Sequence, residues 1–129
     1  MTPRTWPRWP AIALAILFTA ARPAPAQHMD KALFLEIATG PDEEARALLL
    51  VYLRGALNGL ESANMTLRRR GEKRLFCPPA EPPIDPDWMI NELLAYLKRY
   101  PAIPDNVSIA VIGTFALQET YPCEQRSGG

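Results

Sequence analysis

The sequence predicts an all-α protein: a small bundle of about four helices, closed by one disulfide and preceded by a cleaved signal peptide. Three observations carry this. Beyond the first 29 residues, apolar side chains recur at three- and four-residue steps, the period of a helix with one covered face. Capping residues and Pro/Gly breakers fall between those runs. The chain has only two cysteines, Cys77 and Cys123.

The first 26 residues read as the leader. Arg4 and Arg8 precede an apolar run from Ala11 to Ala21, and Ala24 and Ala26 occupy the small-residue positions of a cleavage site. The run is too short to span a hydrocarbon core of about 30 Å, and no cysteine follows it to carry a lipid. A soluble exported product is expected, with residues 27–123 as a helical domain and 124–129 as a disordered tail. Cleavage leaves about 100 residues, so the core is thin and a covalent tie helps it. All 14 acidic residues but only 11 of the 14 basic ones fall after the leader, because Arg4, Arg8 and Arg22 lie within it. A net-acidic domain is a poor general ligand for nucleic acid, whose binding rests on phosphate neutralisation.

The elements follow in order. Asp30 caps a short helix to Ala38, with Leu33, Phe34 and Ile37 on one side. Thr39-Gly40-Pro41 breaks it. A long helix then opens with Pro41 in its first turn and Asp42, Glu43 and Glu44 complementing the dipole. Ala45, Leu48, Leu49, Tyr52, Ala56, Leu60, Ala63 and Leu67 mark its apolar side, and Gly71 stops it after Arg70. Gly55 and Gly59, four apart, are read first as internal close packing and second as a contact face for another helix or protomer. Five prolines between Pro78 and Pro86 make a stiff extended loop. Asp85-Pro86-Asp87 starts a third helix, in which Met89, Leu93, Leu97 and Tyr100 form the stripe and Glu92, Lys98 and Arg99 lie outside it. A last helix from about Asn106 to Thr120 presents Val107, Ala110, Val111, Thr114 and Phe115, widened by Ile109, Ile112 and Ala116. It is expected to be the most buried element.

Two thiols in an oxidising compartment normally pair, and a Cys77–Cys123 bond is preferred over a metal site or a catalytic thiol. A structural zinc takes four ligands, and the only histidine, His28, lies near the mature N-terminus. No catalytic constellation is visible. Ser62 and Ser108 have no partner set, and Asp85 with Asp87 reads as helix capping before it reads as an acid–base pair. The chain is expected to be no enzyme and to need no cofactor or metal. Arg68, Arg69, Arg70, Lys73 and Arg74 form a cation cluster that suits either a solvated helix end or an acidic partner. Trp88 suits core packing or an interface anchor. Asn64-Met65-Thr66 and Asn106-Val107-Ser108 match the glycosylation triplet.

Four segments stand in a recognisable order. They are Tyr52-Leu53-Arg54-Gly55, Leu75-Phe76-Cys77-Pro78, Leu94-Ala95-Tyr96-Leu97-Lys98-Arg99-Tyr100-Pro101, and Ala116-Leu117 before Tyr121-Pro122-Cys123. Over roughly residues 45–123 the chain resembles the Rap/Tai immunity proteins of bacterial type VI secretion. The resemblance implies a small periplasmic helical protein that binds and inhibits a peptidoglycan amidase effector by occluding it. It implies a shared disulfide at Cys77 and Cys123, and a homodimer as in several relatives. Many relatives carry a further cysteine pair towards the N-terminus, which this chain lacks. The family's toxin-contacting residues are not part of the shared motif, so none carries over. A periplasmic stress or chaperone-like protein, without a dedicated toxin partner, is the alternative.

Overall fold

Asp30 accepts a hydrogen bond from the backbone N–H of Leu33 at 2.9 Å and so starts the first helix. The computed structural model describes residues 2–3 and 28–124. The expected leader, residues 2 and 3 aside, and residues 125–129 of the expected tail lie outside the described residues. Four helices make up the described fold: α1 (Lys31–Thr39), α2 (Glu43–Arg69), α3 (Pro86–Arg99) and α4 (Ile109–Thr120). No strand occurs among the described residues, only an isolated antiparallel bridge between Asp30 and Ser108. The all-α expectation holds, with a single disulfide closing the bundle.

The local chemistry of each boundary is direct. Asp42 caps α2 through Ala45 N–H, so Pro41 lies one residue outside the cap rather than in the first turn. Gly71 ends α2 with φ at 72°, a left-handed conformation that favours glycine. Around it, Glu72 N–H reaches Leu67 O and Gly71 N–H reaches Arg68 O, the paired bonds of a Schellman end. Asp85 caps α3 through Trp88 N–H, with Pro86 in the first turn. The last helix begins later than expected, at Ile109 behind Ser108.

Helix α2 packs on α1, α3 and α4, and α3 packs on α4. The core joins Phe34 of α1, Leu49, Leu53 and Leu57 of α2, Met89, Ile90, Leu93 and Leu97 of α3, and Ile109, Ile112 and Leu117 of α4. Phe76 and Ile84 enter it from the proline-rich loop.

Four expectations are corrected here. The buried side of α2 is Leu49, Leu53 and Leu57, while Leu48 points to solvent at 65% exposure. The buried side of α4 is Ile109, Ile112, Gly113, Ala116 and Leu117, while Val111 and Phe115 are exposed. A helix apolar on nearly every side can turn any of them inward, and Gly113 decides the matter by letting α3 come close. A Cβ there would lie 2.7 Å from the terminal methyl of Met89. Tyr100 leaves the α3 stripe for the surface, and Glu92 is drawn in to accept a hydrogen bond from Thr120 Oγ1 at 3.0 Å. Finally, Gly55 and Gly59 are not sites of internal close packing: a Cβ on either would meet nothing within 4 Å.

Candidate partner-binding surface

The end of α2 and the loop after it place the cation cluster. Arg68 and Arg69 occupy the last helical turn, where cations complement the carbonyl end of the dipole. Arg70 is the C-cap, and the turn at Gly71 swings the chain back so that Glu72, Lys73 and Arg74 follow beside the helix. The returning strand of chain is fixed by a side chain of α2. Asn64, buried, donates from Nδ2 to Phe76 O at 2.9 Å and accepts at Oδ1 from Leu75 N–H at 2.8 Å. Asn64 therefore serves as a clasp, and its amide is not free as a glycosylation acceptor.

The next residue is Cys77, bonded to Cys123 with Cα atoms 4.9 Å apart. Beside it, Cys77 N–H donates to Tyr121 O at 2.8 Å. Closing a 46-residue separation constrains the unfolded chain by about 4 kcal/mol in the loop-entropy account. The end of α4 is thereby locked to the start of the proline-rich loop.

Between these parts lies a cleft of about 610 Å³, lined by Arg68, Lys73 and Arg74, the two half-buried cysteines, Gly71, and the carboxylate residues Glu72 and Glu124. A neighbouring depression of about 570 Å³ shares Lys73, Arg74 and Cys123. None of the five cluster cations forms an ion pair among the described residues. The cluster is thus divided. Arg68, Lys73 and Arg74 face the cleft, whereas Arg69 and Arg70 do not line it.

Trp88 stands elsewhere. It is half-buried at the start of α3 and stacks on Tyr121, with ring centroids 5.7 Å apart and planes at 30°. Asp85 and Asp87 are separately engaged, the first as the α3 cap and the second 3.5 Å from Arg46. Among the described residues no three His, Cys, Asp or Glu side chains gather as metal ligands. Among the same residues no helix is long and apolar enough to cross a membrane.

Sequence reasoning missed Asn64 and Lys31. The Lys31 ammonium is nearly buried, donates to Ile103 O at 2.6 Å and pairs with Asp105 at 2.9 Å. Hydrophobic periodicity marks apolar positions only, so it carries no signal for a buried polar tie.

The cleft presents guanidinium and ammonium donors without internal acceptors, next to two carboxylates. Guanidinium groups in general pair with carboxylates bidentately, whereas an ammonium acts as a point charge. Searches of family models, curated proteins and solved structures find no match to the chain.

Proposed function

We propose that the protein is an exported, immunity-type binding module that lodges on a peptidoglycan amidase toxin in the periplasm and blocks its active site. The observation that carries this reading is the unpaired set Arg68, Lys73 and Arg74 around a cleft whose frame is tied by the Cys77–Cys123 bond and by Asn64. With the backbone frame fixed before docking, ordering costs on binding are confined to the side chains themselves. Their charge speeds encounter with an acidic surface. Glu72 and Glu124 in the same cleft repel a uniform polyanion and favour a partner of patterned charge. The ordered segments Tyr52-Leu53-Arg54-Gly55, Leu75-Phe76-Cys77-Pro78 and Tyr121-Pro122-Cys123 support the amidase as the class of partner.

A deletion strain grown on a surface beside its parent tests the reading. Lysis of the deletion strain, rescued by the exported protein, is expected. Arg68→Glu with Arg74→Glu is expected to abolish the rescue and to weaken retention of a cell-wall hydrolase by about tenfold or more. Equal survival beside a parent whose secretion system is firing would overturn the reading.

A further inference from the structure

Helix α4 carries an apolar row that the bundle does not cover and that leads towards the cations. Its buried side is Ile109, Ile112, Ala116 and Leu117. On the opposite side, Val111 and Phe115 are 48% and 55% exposed. At about 100° and 1.5 Å per residue, Val111, Phe115 and Gln118 fall within about 60° of arc and span about 10 Å along the axis. No charge interrupts this row. The one charged residue of α4 is Glu119, which is engaged to the side by Tyr100 and Arg99.

Gln118 belongs to two surfaces. It closes the row and, with Pro122, Leu75, Lys73 and Arg74, lines the depression of about 570 Å³. Lys73 and Arg74 form no ion pair among the described residues. The row and the cations come from distant parts of the sequence. The Cys77–Cys123 bond, and Cys77 N–H donating to Tyr121 O at 2.8 Å, fix one beside the other. An apolar foothold and a cationic end therefore lie side by side on one frame.

We propose that this composite surface docks a protruding acidic segment of a partner protein. Apolar side chains of the segment cover Val111 and Phe115, and its carboxylates meet Lys73 and Arg74 beyond Gln118. Charge and shape together select this occupant. The unpaired cations favour an anionic group, and the row beside them is covered only by apolar side chains. Glu72 and Glu124 in the adjoining cleft repel a uniform polyanion, whether nucleic acid or an anionic bilayer. A concave depression also admits a chain better than it meets a flat bilayer. The inference rests on the proposed function for a protein as partner. It adds α4 to the contact and states what is read: apolar side chains about 10 Å from a carboxylate pair.

Titration of the purified protein followed by nuclear magnetic resonance is the test. The probe is a synthetic peptide with two leucines, a spacer of about three polar residues and two glutamates, because an extended spacer of that length spans about 10 Å. Saturable shifts are expected at the amides of Val111, Phe115, Gln118, Lys73 and Arg74. Phe115→Ser should weaken binding by at least about tenfold and leave the unfolding midpoint unchanged, because the ring is exposed and the two residues have similar helix propensity. Lys73→Glu with Arg74→Glu should weaken it as much. A peptide with lysines in place of the glutamates should bind that variant better than it binds the parent. The absence of saturable shifts overturns the proposal. So do shifts at Lys73 and Arg74 that survive Phe115→Ser, which charge alone would give. Phe115-dependent binding to phosphatidylcholine–phosphatidylglycerol vesicles in place of the peptide overturns it as well. Equal survival of the deletion strain would strike the immunity reading while peptide binding stood, so the two failures are distinct.

Discussion

Asn64 on α2 holds the carbonyl of Phe76 at 2.9 Å from the side of the helix, and its oxygen takes the preceding N–H. The amide so placed supplies two bonds to a segment that has no secondary structure of its own. Asn64→Leu fills the space but leaves Leu75 N–H and Phe76 O unsatisfied. A loss of about 2–3 kcal/mol in urea unfolding is expected. Asn64→Asp keeps the acceptor and puts a carboxylate against the Phe76 carbonyl, so it should cost at least as much. A loss under about 0.5 kcal/mol for Asn64→Leu would show that water replaces the clasp.

Lys31 does similar work at the opposite end of the bundle. Its ammonium ties α1 to the loop before α4, beside the backbone bonds Lys31 N–H to Val107 O, Ala32 N–H to Asp105 O and Ile109 N–H to Met29 O. Lys31→Met keeps the aliphatic stem and removes the donor. It should cost about 1–3 kcal/mol and speed hydrogen exchange at the Lys31 and Ala32 amides. Asp105→Asn should cost less than about 1 kcal/mol, because that carboxylate is 77% exposed. Equal losses for the two would shift the weight from the Ile103 bond to the ion pair.

Most helix boundaries were legible because they are written in short-range chemistry: Asp30 and Asp85 cap, Pro86 begins and Gly71 ends, whereas the α2 cap falls at Asp42, past the Pro41 expected in its first turn, and α4 starts at Ile109 rather than near Asn106. The inward faces were less so. On α2, the exposed Leu48 and Val51 are apolar on the side opposite Leu49, Leu53 and Leu57, and periodicity alone does not say which side meets α3. On α4 the same ambiguity is resolved by Gly113 against Met89, a contact between elements some 20 residues apart in sequence that no local pattern contains. The cation cluster was visible as composition. Its division into cleft-lining Arg68, Lys73 and Arg74 and outward Arg69 depends on the turn at Gly71.

Gly113 gives a sharp contrast with the open glycines of α2. Alanine at 113 would press on the flexible end of Met89, which can shift at modest cost, and would gain about 1 kcal/mol of helix propensity. The two effects oppose each other, and Gly113→Ala is expected within about 1 kcal/mol of the parent by thermal unfolding. Gly113→Leu overfills the α3–α4 contact and should destabilise by about 3 kcal/mol or more. If Gly113→Leu were neutral, the close approach of Met89 would not be what orients α4.

Tyr100 links α3 to α4 by donating its hydroxyl to Glu119 at 2.8 Å. That hydrogen bond, then the charge of the same carboxylate, and then desolvation raise the phenol above its ordinary value, with Tyr96 adding and Arg99 opposing. A proton held more tightly in the folded state stabilises that state. The contribution is complete below the unfolded phenol value of about 10 and is lost as pH rises through the higher folded value. Above it, a phenolate would face the Glu119 carboxylate, with Arg99 at 3.1 Å from that carboxylate as the remaining bridge. The parent should therefore lose more stability than Tyr100→Phe between neutral pH and strongly alkaline pH. Thermal midpoints of the two proteins across that range give the comparison, and the difference between them isolates this hydroxyl from the other tyrosines. Parallel pH curves would mean that the Tyr100–Glu119 bond is broken in solution, and that Arg99 with Glu119 and Thr120 with Glu92 join α3 to the end of α4 without it.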